Sequence, residues 1–221
     1  MGEAPLLNGK RLRLVRRRII DWFKEHGRAF PWRSANSPFQ ILIAEVLLRR
    51  TTATAVSRVY GEFIDRFATL QKLANARKST IEGLLSTLGL QSVRADHLKQ
   101  MAKILLKDCD GVIPDDLASL EGLPGVGKYA AAAVMNFAFG ASEPMVDGNV
   151  VHLMNRVFSH GAAGPTDVKI WDFMKTFGGP QDKRLYWGII DLVALICIRR
   201  NPRCNLCPLS ALCDYHIANP K

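Results

Sequence analysis

Hydrophobic positions recur along most of the chain at the spacing of an α-helix. Leu12, Val15, Ile19 and Trp22 share one helical face. Arginines fill most of the remaining face, which favours a solvated face over the alternative of an arm that contacts phosphates. The same periodicity, interrupted at Pro and Gly, predicts further helices over 39–48, 54–67, 79–87, 92–108, 115–120, 129–138, 148–158, 167–177 and 182–197. No segment alternates with the period of a strand and no long repeat is present, so the predicted fold class is all-α.

A glycine-rich turn stands before one of these helices. The segment from Leu123 to Lys128 reads Leu-Pro-Gly-Val-Gly-Lys and opens a helix of small residues. Gly125 and Gly127 permit a positive φ and leave backbone N–H groups uncovered by side chains. At the positive end of a helix dipole such N–H groups suit a DNA phosphate. A turn of this composition is also a common helix connector, so the segment alone leaves both interpretations open.

Charge narrows the possible functions more than size does. The 221 residues suffice for one large domain or two small ones. The 30 Lys+Arg against 20 Asp+Glu give a net charge of +10, which favours a polyanionic partner such as nucleic acid. No apolar run is long enough to span a bilayer, and the basic amino end lacks the apolar stretch of a secretory signal. We therefore expect an intracellular protein that does not bind a membrane.

Four of the five cysteines lie close together near the carboxyl end. Cys197, Cys204, Cys207 and Cys213 follow the pattern Cys-x6-Cys-x2-Cys-x5-Cys. A reducing compartment disfavours disulfides, and four thiolates from a compact loop can hold a [4Fe–4S] cluster or a zinc ion. The last three cysteines with His216 would form a Cys3His zinc site. That scheme leaves Cys197 unused and departs from common zinc-finger spacings, so the pattern favours the cluster.

The cysteine pattern, the glycine turn and the run Val146-Asp147-Gly148-Asn149-Val150 together resemble the endonuclease III and MutY branches of the helix–hairpin–helix DNA glycosylases. The resemblance extends roughly from residue 15 to residue 216. It implies two helical lobes with an active cleft between them. One is a six-helix barrel over 30–140 that contains the hairpin, and the other combines 1–29 with 141–221 and holds the [4Fe–4S] cluster. It also implies double-stranded DNA with a mismatched or damaged base as partner, and we expect a nucleoid-associated, cytoplasmic monomer.

The resemblance assigns the hairpin and one carboxylate to DNA. Gly125, Val126, Gly127 and Lys128 are expected to hold the DNA backbone without reading its sequence. Asp147 is expected to stand beside C1′ of the deoxyribose and stabilise the cationic sugar that forms as the base leaves. An aspartate before Gly-Asn-Val-Val is also a favoured helix N-cap, and the two roles are compatible.

Two further residues are matched to the reaction through the same resemblance. Tyr129 occupies the position where members with lyase activity carry a Schiff-base lysine, so we expect a monofunctional enzyme in which Tyr129 lines the base pocket. The alternative for Tyr129 is simple packing on a small-residue helix. Glu45 stands in an otherwise apolar helix and matches the glutamate that acts on the purine in MutY-type enzymes. If the base is thymine, Glu45 would bind the flipped base or order the water; its alternative is an exposed helix edge.

The base removed is inferred from the residues that would fill the gap in the flipped duplex. Arg50 is the expected wedge, and Leu90 or Gln91 the second one. The run from Arg49 to Thr52 resembles the archaeal mismatch-specific thymine glycosylases, which implies thymine or uracil opposite guanine. The run Asp147-Gly148-Asn149 resembles MutY, so adenine opposite guanine or 8-oxoguanine is the alternative substrate. A non-catalytic, cluster-containing DNA-binding regulator is the competing class of function.

Overall fold

The computed structural model describes residues 9–35, 37–178 and 182–220. Within these ranges it contains twelve α-helices and no strand, which confirms the all-α class. Their bounds are α1 Gly9–His26, α2 Pro38–Leu48, α3 Ala53–Arg66, α4 Leu70–Asn75, α5 Lys78–Leu84, α6 Gln91–Asp108, α7 Leu117–Glu121, α8 Lys128–Ala138, α9 Gly148–Phe158, α10 Val168–Gly178, α11 Lys183–Leu195 and α12 Asp214–Ala218. None of the helices in the described part of the chain combines the length and hydropathy needed to cross a membrane.

The chain divides into two compact units, Ala29–Ala141 and a second formed by Met1–Arg28 with Ser142–Lys221. The described residues of the first unit form α2 to α8, one helix more than the six expected. The additional helix is α4, which is only 6 residues long and therefore too short to show a clear helical period. Its N-cap is Thr69, whose hydroxyl accepts a hydrogen bond from the Lys72 N–H at 3.2 Å.

Helix α2 forms the centre of the first unit. Its residues from Ile41 to Leu47 are all buried, as expected for a helix that is apolar on every face. It packs against α3, α6 and α8. The buried alanines from Ala130 to Ala133 allow α8 to approach closely, because they project only a methyl group each. The packing of α2 and α8 places Glu45 and Tyr129 on two helices in direct contact.

In the second unit, α1 packs along α11. Where α1 ends, Arg28 binds the carboxylate of Asp191, which is 0% exposed. The Arg28 side chain donates to Oδ1 at 2.9 and 2.7 Å, and its backbone N–H donates to Oδ2 at 2.8 Å. A buried carboxylate with three donors, two of them N–H groups of one guanidinium, is stabilised in its charged form. This pair fixes the segment after α1 to α11 within the second unit.

Two arginines of α1 do not point into solvent. Arg11 donates to the carbonyl oxygens of Val157 and Leu212 at 2.7 and 2.8 Å. Arg18 donates to the carbonyl of Pro208 at 3.0 Å. The prediction of a solvated arginine face is therefore wrong for these two positions, because carbonyl groups without helical partners recruit them. They tie α1 to the segment that carries the cysteines.

The crossing of α1 and α11 depends on a glycine, which gives a stability prediction. A Cβ at Gly188 would lie 2.7 Å from Ile19 Cγ2 and 3.1 Å from the Ile19 carbonyl oxygen. We expect Gly188→Ala to lower the free energy of unfolding by about 1–3 kcal/mol, since the two helices must separate. Urea titration followed by circular dichroism measures this change.

Gly61 is the matched control. It lies inside α3 and is exposed, and a Cβ there would meet nothing within 4 Å. Gly61→Ala should raise the free energy of unfolding by about 0.5–1 kcal/mol, because alanine loses less backbone entropy on folding. Equal effects of the two substitutions would contradict the close helix crossing.

Candidate active site

The glycine turn joins α7 to α8 as a helix–hairpin–helix. Gly125 has φ +85°, and a Cβ there would lie 3.1 Å from His97 Cβ, so conformation and space both require glycine. Gly127 is the N-cap of α8 with extended backbone, and a Cβ there would meet nothing within 4 Å. Leu123 and Val126 are buried beneath the turn. One glycine thus permits the turn, and the other leaves the backbone at the helix start open to a ligand.

Two positively charged side chains lie at the hairpin. Lys128, the first residue of α8, is exposed, and the Arg49 guanidinium donates to the Gly125 carbonyl at 2.9 Å. These cations reinforce the positive end of the α8 dipole, an arrangement that binds phosphate. Because the side chain of Val126 is only 6% exposed, this residue can contact DNA through its backbone alone.

Glu45 and Tyr129 lie in the same unit as the hairpin. Glu45 is 7% exposed in the middle of α2, so the alternative of an exposed helix edge is wrong. Tyr129 lies in the first turn of α8 and is half-buried, which leaves part of its side chain accessible. Two polar side chains on packed helices can form one wall of a pocket for a polar ring.

Asp147 lies in the second unit and is the N-cap of α9, as one interpretation predicted. Its Oδ1 accepts hydrogen bonds from the N–H groups of Asn149 and Val150 at 2.9 and 2.8 Å. Its Oδ2 accepts from Asn149 Nδ2 at 2.8 Å. Burial raises the pKa of Asp147, and these hydrogen bonds oppose the rise. The carboxylate is thus held in one orientation by three donors, on a residue that is half-buried.

The expected wedge residues lie on two loops of the first unit. Arg50 follows α2 and Leu90 precedes α6, and both have a φ of 53°. This left-handed conformation is uncommon for residues other than glycine and marks backbone held by its surroundings. Arg50 and Gln91 are exposed, and Leu90 exposes 51% of its surface although it is apolar. All three side chains are accessible to a ligand.

The four clustered cysteines line one cavity, and His216 lies on its wall as well. None of them forms a disulfide. Burial raises the pKa of Cys197 and Cys213, and that of Cys207 to about 12. Among the residues that the structure describes, no group of three or more His, Cys, Asp or Glu side chains could hold a metal ion.

Helix α9 connects this cavity to Asp147, a feature that the sequence analysis missed. Arg156 donates to Cys197 Sγ at 3.5 Å and to the Ile198 carbonyl at 3.0 Å. His152 Nε2 lies 2.8 Å from the Cys197 carbonyl oxygen. The available signal was their spacing, since residues four apart share one face of the helix that Asp147 opens. At the other end, Arg199 donates to the Gly148 carbonyl at 3.4 Å.

Comparisons with known proteins agree with this geometry. Residues 43–177 match the family described as HhH-GPD superfamily base excision DNA repair protein. The chain is 38% identical over 218 residues to a protein of Aeropyrum pernix named thymine-DNA glycosylase, a match that covers 95% of this chain and 97% of that protein. It is 37% identical over 200 residues to a thymine/uracil-DNA glycosylase of Pyrobaculum aerophilum, covering 87% and 86% respectively.

Two further matches allow the thymine and adenine glycosylases to be compared by their similarity to this chain. The solved structure of a thermostable thymine-DNA glycosylase superposes with a TM-score of 0.89 at 35% identity and covers 95% of this chain and 98% of that one. An adenine DNA glycosylase of Buchnera aphidicola is 31% identical over 204 residues, covering 91% of this chain and 58% of that protein. The resemblance inferred from the hairpin, the Val-Asp run and the cysteines is confirmed: the chain belongs to the HhH-GPD superfamily of base excision DNA repair proteins.

Proposed function

We propose that this chain is a monofunctional DNA glycosylase that flips thymine or uracil out of mispairs with guanine and hydrolyses its N-glycosidic bond. The observation that carries the proposal is the oriented, half-buried carboxylate of Asp147 at the start of α9. Family membership and relatives named as glycosylases favour an enzyme over a non-catalytic regulator.

The reaction needs a fixed negative charge beside the sugar. As the bond from C1′ to the base breaks, its electron pair leaves with the base and the deoxyribose becomes cationic. At ~4 Å and an effective dielectric of ~20, a carboxylate attracts this cation by about 4 kcal/mol, or roughly three decades of rate. The hydrogen bonds to Asp147 fix its orientation beforehand, so little reorganisation is needed when charge develops. Water then adds at C1′, and the proton that it loses balances the negative charge of the departed base, so the products are an abasic site and the neutral free base.

The residues on α2 and α8 act on the base. Glu45 hydrogen-bonds the flipped pyrimidine or orders the attacking water, and its burial favours a polar partner inside the site. Tyr129 lines the same pocket. A phenol cannot form an imine, and the neighbouring Lys128 lies about 100° away around the helix. These two facts support hydrolysis without strong lyase activity.

DNA is held through its backbone by the hairpin. The exposed backbone at Gly127, the dipole of α8 and the charges of Lys128 and Arg49 suit a phosphate and read no sequence. Such a contact fits an enzyme that scans double-stranded DNA for mispairs, acting as a monomer at the nucleoid. A wobble G·T pair also flips more easily than a matched pair, which supplies part of the selectivity.

The choice of base rests on the wedge loops and the relatives. The run Arg49–Thr52 supports thymine or uracil, and so do the relatives named thymine and thymine/uracil glycosylases at 38% and 37% identity. Adenine opposite guanine or 8-oxoguanine is the alternative, favoured by the run Asp147-Gly148-Asn149 and by the lower match of 31% to an adenine glycosylase.

Cys197, Cys204, Cys207 and Cys213 hold a [4Fe–4S] cluster in this proposal. The four thiols surround one cavity, and the backbone N–H of Leu209 donates toward Cys207. In such a cluster each thiolate binds a different iron, so the sulfurs surround a larger volume than a single ion requires. When bound, the cluster orders the loop of Arg199, Arg200 and Arg203 near phosphates. The Cys3His zinc site is the alternative. The buried His216 Nδ1 has no hydrogen-bond partner among the described residues, but no three of these side chains converge on a single ion there.

Asp147→Asn tests the catalytic role. Asparagine is as good an N-cap as aspartate, so α9 should stay intact while the negative charge is lost. We expect single-turnover release of thymine from a G·T duplex to fall by roughly 10³-fold, with DNA affinity and melting temperature little changed. The measurement uses excess enzyme, alkaline cleavage of the abasic product and gel separation.

The pH profile gives the control for this substitution. Only the ionised carboxylate stabilises the cation, and burial raises the pKa of Asp147. The wild-type rate should therefore fall on acidification, with a midpoint above the ~3.9 of a free aspartate. This limb should be absent from Asp147→Asn. An unchanged rate in the variant would mean that Asp147 is only a helix cap.

A panel of duplexes tests the base and the reaction class. We expect release from G·T and G·U, much slower release from G·A and 8-oxoguanine·A, and none from A·T. Borohydride should trap no covalent adduct, because Tyr129 cannot form a Schiff base. Preferred release of adenine would establish the alternative substrate, and a trapped adduct would show lyase chemistry.

Two variants separate the cluster from zinc, because each metal site uses one residue that the other leaves out. The anaerobically purified protein should contain four iron atoms per chain and absorb visible light. Cys197→Ser should abolish the iron content, whereas His216→Ala should keep it. Stoichiometric zinc that survives Cys197→Ser and is lost in His216→Ala would contradict the cluster.

A further inference from the structure

Arg94 of α6 is a buried arginine that binds backbone carbonyls. Its side chain is 4% exposed. Nη1 donates to the carbonyls of Val46 and Leu47 at 3.0 and 3.1 Å, Nη2 donates to that of Arg49, and Nε donates to that of Gly89 at 3.0 Å. A planar fork with five donors can bridge these separate acceptors, whereas the single ammonium of a lysine cannot.

These carbonyls belong to the two loops that carry the expected wedges. Val46, Leu47 and Arg49 form the end of α2, directly before Arg50, and Gly89 directly precedes Leu90. Both wedge positions have a φ of 53°, which persists only where neighbouring groups hold the backbone. The Arg94 guanidinium therefore binds the carbonyl of Arg49, directly before Arg50, and that of Gly89, directly before Leu90.

The same helix also contacts the hairpin. His97 lies one turn after Arg94 on α6 and packs against Gly125. Arg49, whose carbonyl accepts from Arg94, donates its own guanidinium to the Gly125 carbonyl at 2.9 Å. The α2–α3 loop, the loop before α6 and the hairpin are thus joined through two arginines.

We propose that Arg94 is a positioning residue that holds both wedge loops against the hairpin and so couples base flipping to backbone binding. The inference rests on the proposed function, since it assigns Arg50 and Leu90 to the flipped duplex. Without Arg94, the buried carbonyls of Val46 and Leu47 would lose a donor, and the bridge between Arg49 and Gly89 would be gone, so the two loops would move independently. DNA would still bind at the hairpin, but the gap left by the base would not be filled.

The test compares Arg94→Met with Lys99→Met. Lys99 is a matched control, because it also lies on α6 and donates to helix-end carbonyls, those of Ala74 and Ala76, which belong to neither the wedge loops nor the hairpin. Fluorescence of 2-aminopurine placed beside a G·T mispair, whose thymidine carries a 2′-fluoro group that blocks hydrolysis, reports unstacking without base release. We expect a strong rise with wild type and Lys99→Met, and about a tenth of it with Arg94→Met at saturating protein.

Excision supplies the second readout. Thymine opposite an abasic analogue has no pairing partner and flips more easily than thymine opposite guanine. Arg94→Met should slow release from G·T at least about 10-fold more than release opposite the abasic analogue, whereas Lys99→Met should slow both equally. If Arg94→Met does not fold, Arg94→Lys serves the same comparison, because it keeps the charge but cannot bridge the two loops.

Each outcome distinguishes this inference from the proposed function. A full fluorescence rise with Arg94→Met, or equal slowing on both substrates, would overturn the role of Arg94. No rise with the wild type would overturn it too, because no wedge would then be inserted. A wild type that unstacks the probe but releases no base from the unmodified duplex would refute the glycosylase proposal, and the fluorescence comparison would still decide the role of Arg94.

Discussion

In the proposed reaction, the carboxylate of Asp147 has to be charged although it is partly buried. Burial alone would favour its neutral form and remove the charge that the reaction uses. The first turn of α9 resolves this conflict, because two backbone N–H groups and the Asn149 amide donate to the carboxylate and favour the ionised form. The N-cap and the catalytic role are therefore one arrangement. The first turn of α9 needs a hydrogen-bond acceptor for its N–H groups, and the Asp147 carboxylate needs donors that keep it ionised. Each supplies what the other needs.

Helix ends serve the first unit in a similar way. The start of α8 presents backbone and positive dipole at the hairpin, while the end of α2 presents carbonyls that need donors. Arg94 supplies these donors from the neighbouring helix, and Arg49 extends the contact to Gly125. In the proposed function, the buried Arg94 holds these loops from within and leaves their outer surface for the DNA.

Much of this arrangement could be predicted from the sequence, because it depends on local signals. Each of these signals is formed by residues that are near one another in the sequence: the helical period, the glycine turn, the N-cap at Asp147 and the cysteine spacing. Helix α4 was missed because its 6 residues are too few to show a period. Arg11 and Arg18 were misjudged because their acceptors are distant in sequence. Arg94 left a signal that could have been used, since it shares the apolar face of α6 with Leu98, Met101 and Leu105.

The second unit has a mechanical link between its two functional regions. Asp147 caps the start of α9, and Arg156 near the other end of that helix binds Cys197 and the Ile198 carbonyl. Arg199, from the same cysteine segment, reaches back to the Gly148 carbonyl beside Asp147. A displaced cysteine segment would therefore pull on both ends of the helix that aims the carboxylate. In the proposed function, a metal group held by the cysteines would help to fix where α9 begins, and it would need no electron transfer to do so.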